Sequence, residues 1–313
     1  MKIFEGLESI SSPFAESVVA IGTFDGVHVG HRAIISGAVE EARRTGRPAL
    51  VFTFDRHPSE LLAPERAPHY ITSPGQRDEL VAALGTDGLV IARFDEALSQ
   101  LSPDEFVERI LKRLLGARAI VEGSSFCFGR GRAGDVAYLT GVQERYDFRL
   151  IAVEPVVVDG APASSTRVRE LIAAGRVGEA ERVLGHPFRL CGRVVAGQRL
   201  GRTLGFPTAN LDILYRQIYP ADGVYAVHAR LDDGRLLSGA CSIGVRPTVN
   251  GAGRTVEVYL FDFDEQIYGR QIEVRFLERL REERKFDSLD ALKSQMVLDV
   301  EQARAICGRG SGG

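Results

Sequence analysis

The chain has 313 residues, ordinary apolar content and a formal net charge of −3. That length suits two domains, and the lack of a basic excess argues against a general nucleic-acid binder. Four scattered cysteines, Cys127, Cys191, Cys241 and Cys307, form no C-x-x-C and read as reduced thiols of a cytoplasmic protein.

The first residues, Met1 to Gly6, lack a signal-peptide apolar region, and no apolar run approaches the ~18 residues of a membrane helix. Apolar runs then predict strands at Val18–Gly22, Ala49–Phe54, Gly88–Ala92, Ala119–Glu122 and Phe148–Val153. Helices are expected between them, near Arg32–Arg44, Pro74–Ala83, Pro103–Leu115 and Asp135–Arg145. Ser73-Pro74 and Ser102-Pro103 resemble an N-cap followed by proline at the first helical position. This alternation predicts an α/β domain, a parallel sheet with helices on both faces. Two short helices are expected at Ser165–Ala174 and Val177–Leu184, with Gly175 between them.

Beyond Gly185-His186-Pro187 the texture changes. Short Val-, Ile- and Tyr-rich runs lie at Leu190–Val195, Val224–Leu231, Leu236–Ile243, Arg254–Phe261 and Gln271–Leu280. Asp232-Asp233-Gly234 suits a hairpin turn. Strands at this spacing predict a small antiparallel β-barrel. Leu289, Leu292, Met296 and Val300 then mark a final helix over Ser288–Ala305, and the tail from Gly308 to Gly313 is expected to be unstructured. These readings divide the chain into domains 1–184 and 185–313.

The string Gly22-Thr23-Phe24-Asp25-Gly26-Val27-His28-Val29-Gly30-His31 follows the first strong strand and opens a helix. Glycines there let the backbone approach phosphate oxygens, and a helix start offers free N–H groups to an anion. Two imidazoles add donors for charge developing on a phosphate. A zinc site is the rival, but no further His or Cys ligands stand close by. Three more segments are expected at the same carboxyl edge: Thr53-Phe54-Asp55-Arg56-His57-Pro58, Gly123 to Arg132, and Ser164-Ser165-Thr166-Arg167-Val168-Arg169. The Ser-Ser-Thr run fits either a phosphate contact or simple helix capping. Phe126 and Phe128 fit either side of a flat ring or ordinary core packing.

The second unusual string is Gly205-Phe206-Pro207-Thr208-Ala209-Asn210, preceded by a glycine- and arginine-bearing loop from Gly197 that is not a Walker A motif. A hydroxyl and an amide two residues apart suit Mg²⁺ shared with nucleotide phosphates, or a plain capped turn. Glu257, between Val256 and Val258 in a strand pattern, is either a base projecting into the barrel mouth or a solvent-facing glutamate.

Taken together, G-T-F-D-G-V-H-x-G-H, T-F-D-x-H-P, F-x-F-G-x-x-R-x-G, S-S-T-x-x-R and G-F-P-T-A-N-L resemble the bacterial bifunctional riboflavin kinase/FAD synthetase family in order and spacing over about residues 1–306. Ser242 to Thr248, Val256 to Tyr259 and Leu280 to Phe286 agree with it. The resemblance implies a Rossmann-like nucleotidyltransferase domain followed by a barrel kinase domain with a terminal helix. It implies that the first half adenylylates FMN to FAD with release of pyrophosphate, and that the second phosphorylates riboflavin to FMN. ATP and Mg²⁺ would serve both, with flavins as substrates and products and no nucleic-acid or membrane partner.

By that resemblance His28, His31, Arg169 and Glu257 are the catalytic residues. Gly22, Phe24, Gly30, Ser165 and Thr166 bind nucleotide in the first half, and Gly197, Arg202, Gly205, Thr208 and Asn210 in the second. Thr208 and Asn210 hold the metal. Asp55, His57, Pro58, Ser125, Phe126 and Phe128 contact flavin in the first half, as do Arg284 and Phe286 in the second. The family usually carries Asn or Asp where this chain has Ser125. Two rivals stand beside this reading: an adenylyltransferase for another phosphorylated metabolite, and a flavin-binding regulator with a dead site. Sequence leaves oligomeric state open.

Overall fold

A computed structural model describes residues 1–197, 205–248 and 251–309 of the chain. Arg202, assigned above to nucleotide binding, and tail positions 310–313 lie outside the described residues. The chain folds as two compact units, Met1–Pro68 with Pro74–Ser164, and His69–Ser73 with Ser165–Gly313. By packing, the two helices before Gly185 group with the barrel, so the compact units part at Ser164/Ser165, whereas the change of sequence texture lies at Gly185.

The first unit is built on a parallel sheet with strand order β1-β4-β3-β2-β5-β8. Its strands are β1 (Lys2–Glu5), β2 (Ser17–Ile21), β3 (Ala49–Phe54), β4 (Gly88–Ala92), β5 (Ala117–Gly123) and β8 (Arg149–Val153). The two-residue ribbons β6 (Cys127–Phe128) with β7 (Gly134–Asp135), and β9 (Val157–Val158) with β10 (Ala161–Pro162), stand apart from it. Every residue of β2 and β4 is buried, as expected of strands covered on both faces. On one face Val18, Ala20, Val51 and Leu89 pack with Ile35, Ala38 and Val39 of the helix Val29–Thr45. On the other, Val19, Ile21, Leu50 and Phe52 pack with Phe106, Ile110 and Leu111. The strand order reverses between β2 and β5, which makes the carboxyl edge there the ligand position of an open α/β sheet.

The second unit is a closed antiparallel barrel, ordered β11-β12-β15-β14-β13-β16. The strands are β11 (Phe188–Val195), β12 (Thr208–Ile213), β13 (Gly223–Leu231), β14 (Leu236–Thr248), β15 (Gly251–Leu260) and β16 (Gln271–Glu282). Gly234 turns the β13–β14 hairpin at φ 89°, a left-handed conformation that favours glycine. The helix Val177–Leu184 lies against β11 and β16 and buries Val177, Ala180, Val183 and Leu184. The terminal helix Leu289–Arg309 packs on β13, β14 and β16, with Ala303 and Cys307 buried beside Ala226 and Phe261.

Candidate active sites

In the first unit, the chain leaves β2 through a compressed turn. Phe24 (φ 48°), Gly26 (φ 84°) and Val27 (φ 38°) all adopt left-handed backbone, which is costly for Phe and Val. The turn delivers His28 to the N-cap of the helix Val29–Thr45, where its ring Nδ1 accepts from the amides of Gly30 at 3.1 Å and His31 at 3.3 Å. This corrects the expectation of open amides at the helix start, because His28 takes two of them. An Nδ1 that accepts carries no proton, so the neutral ring presents Nε2–H as its donor. His28 is only 5 % exposed. Its ring stacks on His31 at 3.6 Å between centroids, and Phe24 braces His31 edge-on at 5.3 Å. Gly30 permits this fold-back: a Cβ there would stand 3.0 Å from Cε1 of His28. Gly22 likewise lies against the Phe24 ring. Phe24 itself is a core side chain.

Around the same sheet edge, the Asp55 carboxylate accepts from the amide of Phe94 at 2.8 Å and so ties the ends of β3 and β4 together. His57 Nδ1 accepts from Ser59 N at 3.2 Å, just after Pro58. Ser125 is exposed in the turn after β5. Phe126 and Phe128 stack at 5.7 Å, with Phe128 buried in the core beside Phe106 and Phe126 half-buried. Of the two readings offered for these rings, core packing therefore applies to Phe128.

One buried acid was not anticipated. Glu122, near the end of β5, is 0 % exposed, and neither carboxylate oxygen has a hydrogen-bond partner among the described residues. Burial, and then the charge of Asp135, push its pKa up to about 8. Only the switch from Ala119-Ile120-Val121 to Glu inside an apolar run could have flagged it.

Ser165, Thr166 and Arg169 belong to the helix Ser165–Ala173 of the second unit. There Arg169 Nε donates to the carbonyl of His69 at 2.8 Å.

The barrel site gathers residues far apart in sequence. Asn210 on β12 pairs with Glu257 on β15, and Ser242 on β14 pairs with Glu257 from the other side. Thr208, two residues from Asn210 and on the same strand face, donates Oγ1–H to Glu257 Oε2 at 3.2 Å. Gly197 lies against the Asn210 amide, where a Cβ would stand 2.2 Å from Nδ2. Gly205 adopts φ 90° just before this strand.

Thr208 and Glu257 line a cleft of about 320 Å³ with Phe206, Tyr259, Arg281 and Met296. Val256 and Val258 are fully buried, whereas Glu257 and Tyr259 face this cleft beneath the terminal helix. Glu257 thus opens on the outer side of the barrel wall and not into the barrel mouth. Arg281 is held in the cleft wall by a paired ion contact with Asp299 of the terminal helix, at 2.8–3.1 Å. Arg281 and Asp299 were missed as site residues, since nothing local in sequence joins them. Arg284 and Phe286 stack on each other at 4.9 Å, and Arg284 also meets Gln295 of the terminal helix.

The Thr208 hydroxyl and Asn210 amide are hard oxygen donors, and among the described residues no cluster of His, Cys, Asp or Glu could cage a metal unaided. That donor set fits Mg²⁺ held jointly with phosphates.

Comparison with known proteins agrees with this layout. A family model described as FAD synthetase matches residues 11–167, and one described as riboflavin kinase matches residues 184–307. The Escherichia coli K12 bifunctional riboflavin kinase/FMN adenylyltransferase is 39 % identical over 309 residues, covering 98 % of each chain. The protein of the same name from Pseudomonas fluorescens is 41 % identical over 307 residues, again covering 98 % of each. A Streptococcus pneumoniae crystal structure described as a macrolide-efflux protein superposes with a TM-score of 0.89 at 34 % identity, covering 97 % of this chain and 99 % of that one. That description belongs to the other protein; among the described residues here, no helix is long and apolar enough to cross a membrane. The chain belongs to the family of bifunctional riboflavin kinase/FMN adenylyltransferases.

Proposed function

We propose that the two reactions of this bifunctional enzyme are run by two separate residue sets, His28 with His31 in the first unit and Thr208, Asn210 and Glu257 in the second. The chain phosphorylates riboflavin to FMN and transfers AMP from ATP to FMN, giving FAD and pyrophosphate. The observation that carries the reading is the Thr208–Glu257 contact at the cleft, which joins a phosphate-side hydroxyl to a carboxylate on the neighbouring strand.

In the kinase reaction the neutral 5′-hydroxyl of riboflavin is a poor nucleophile. Glu257 accepts its proton as the oxygen bonds to the γ-phosphorus and the bond to the β-phosphate oxygen breaks. Thr208 and Asn210 hold the nucleotide phosphates, with Gly197 lying against the Asn210 amide. Phe206 and Tyr259, packed edge-to-face at 5.5 Å, supply aromatic lining for a flavin ring. Mg²⁺, when bound by Thr208 and Asn210 together with the phosphates, supplies charge neutralisation.

In the adenylyl reaction the FMN phosphate is already an anion, so no strong base is needed. An FMN phosphate oxygen bonds to the α-phosphorus of ATP, and pyrophosphate leaves. The Nε2–H of His28 and the stacked His31 ring stabilise the charge that grows there. Ser165, Thr166 and Arg169 hold the remaining phosphates, and Phe126 and Ser125 contact the flavin, with Asp55 and His57 fixing the adjacent loop. No disulfide joins the described cysteines, which supports a cytoplasmic enzyme.

Incubating the purified chain with riboflavin, ATP and Mg²⁺ and separating the flavins tests this reading. FMN and FAD should both accumulate; bound but unchanged riboflavin would instead mark a flavin-binding regulator.

A further inference from the structure

The segment His69–Ser73 lies in sequence between β3 and β4 of the first unit, yet it is built into the second. Among the described residues, at least three hydrogen bonds clip it to the connector between β12 and β13. Tyr70 N donates to the carbonyl of Arg216 at 2.9 Å, and Ile218 N donates to the carbonyl of Tyr70 at 2.8 Å, making a parallel bridge. The third comes from Gln217, whose Nε2 donates to the carbonyl of Ile71 at 3.1 Å.

Gln217 is 0 % exposed and is used at both ends. Its Nε2 also donates to the carbonyl of Arg189 at 3.0 Å, and its Oε1 accepts from Cys191 N at 3.2 Å, both on β11. So the Gln217 side chain ties the segment to the barrel wall, beside a hydrogen bond between the Ser73 and Cys191 side chains, and a carbonyl at the start of that segment, His69 O, receives Arg169 Nε. Positive charge is concentrated here: burial, then the Arg216 and Arg169 guanidinium groups, lower the pKa of His69.

We propose that Gln217, inside the riboflavin-kinase-matching region, is a positioning residue for Arg169 and thereby for adenylyl transfer. This rests on the assignment of Arg169 to the ATP phosphates made above. A planar guanidinium donates in a fixed fork, so holding its Nε on one carbonyl sets where the terminal nitrogens point. Loosening the segment leaves Arg169 charged but misaimed, and small misplacements of a phosphate-holding group cost rate steeply.

The test is a double-mutant cycle on the full chain with both activities assayed. Gln217→Glu keeps the acceptor for Cys191 N and, when ionised, loses the donors to Ile71 and Arg189. It should lower FMN adenylylation about tenfold or more, mainly through KM for ATP, while riboflavin phosphorylation stays within about twofold. Lowering the pH should restore part of the lost adenylylation, as the new carboxyl regains a proton to donate. In an Arg169→Ala background the same change should have no further effect. Gln217→Met, uncharged and of similar size, serves the same cycle should the charged variant not fold. A folded Gln217 variant with unchanged adenylylation overturns the proposal. So does an equal loss in the Arg169→Ala background, or a parallel fall in both activities. If Arg169→Ala alone leaves adenylylation intact, the phosphate role of Arg169 itself falls, and this proposal with it.

Discussion

Thr208 and Glu257, 49 positions apart in sequence, meet at 3.2 Å across two neighbouring barrel strands, hydroxyl to carboxylate. The pairing of β12 with β15 sets this contact, with Asn210 opposite Glu257 in the same register. A proton acceptor for a hydroxyl and a ligand for phosphate thereby share one cleft.

Replacing Thr208 by Val keeps the strand shape and removes the hydroxyl. A hydrogen bond to a charged group is worth about 1.5–3 kcal/mol, so riboflavin kinase activity should fall by roughly tenfold to a hundredfold. FMN adenylylation should not change. Steady-state assays of both reactions on the purified variant check this.

Glu122 predicts a pH dependence of stability. Its folded pKa is raised to about 8 by burial and by Asp135, so between its unfolded value of 4.5 and about 8 the folded state holds a proton that the unfolded state has lost. Its contribution is therefore full below about 4.5, declines as pH rises, and is completely lost once pH passes the folded pKa. A glutamine at this position cannot ionise. Urea midpoints of Glu122→Gln and the parent, compared at about pH 5 and about pH 8, should show a shallower decline for the variant. Parallel curves would contradict the assignment.

The helix Val177–Leu184 buries four apolar side chains against the barrel. A fragment of residues 165–313 should accordingly melt well above a fragment of residues 186–313, since full burial of such side chains is worth roughly 1.5–3 kcal/mol each for the larger ones. Both should retain riboflavin kinase activity at a temperature where both are folded. Thermal unfolding followed by circular dichroism, with the kinase assay, decides it.

Much of this fold was legible because buried parallel strands leave continuous apolar runs. Ala49–Phe54 and Gly88–Ala92 match their strands to the residue. The edge strand Lys2–Glu5 was missed because only Phe4 is buried, so its four residues show no run. Strand β12 was also missed: Thr208-Ala209-Asn210 reads as a turn, and only pairing with β11 and β15 makes it a strand. His28 was found as a candidate, but its capping role was not, because Ser, Thr, Asp and Asn are the residues expected at an N-cap. Arg281–Asp299 and Gln217–Ile71 are long-range pairings that no local pattern encodes.

The central claim is that two residue sets run two reactions independently. It is tested most directly by assaying both activities on a crossed pair of variants, His28→Ala with His31→Ala, and Glu257→Gln. Losing the histidine donors should abolish FAD formation, a loss of ~3 kcal/mol or more per donor in transition-state stabilisation, and leave FMN formation intact. Glu257→Gln should lower riboflavin phosphorylation about 10²–10⁴-fold while supplied FMN still becomes FAD. A folded histidine variant that has lost kinase activity, or a folded Glu257→Gln that still phosphorylates riboflavin at the parent rate, would contradict the account.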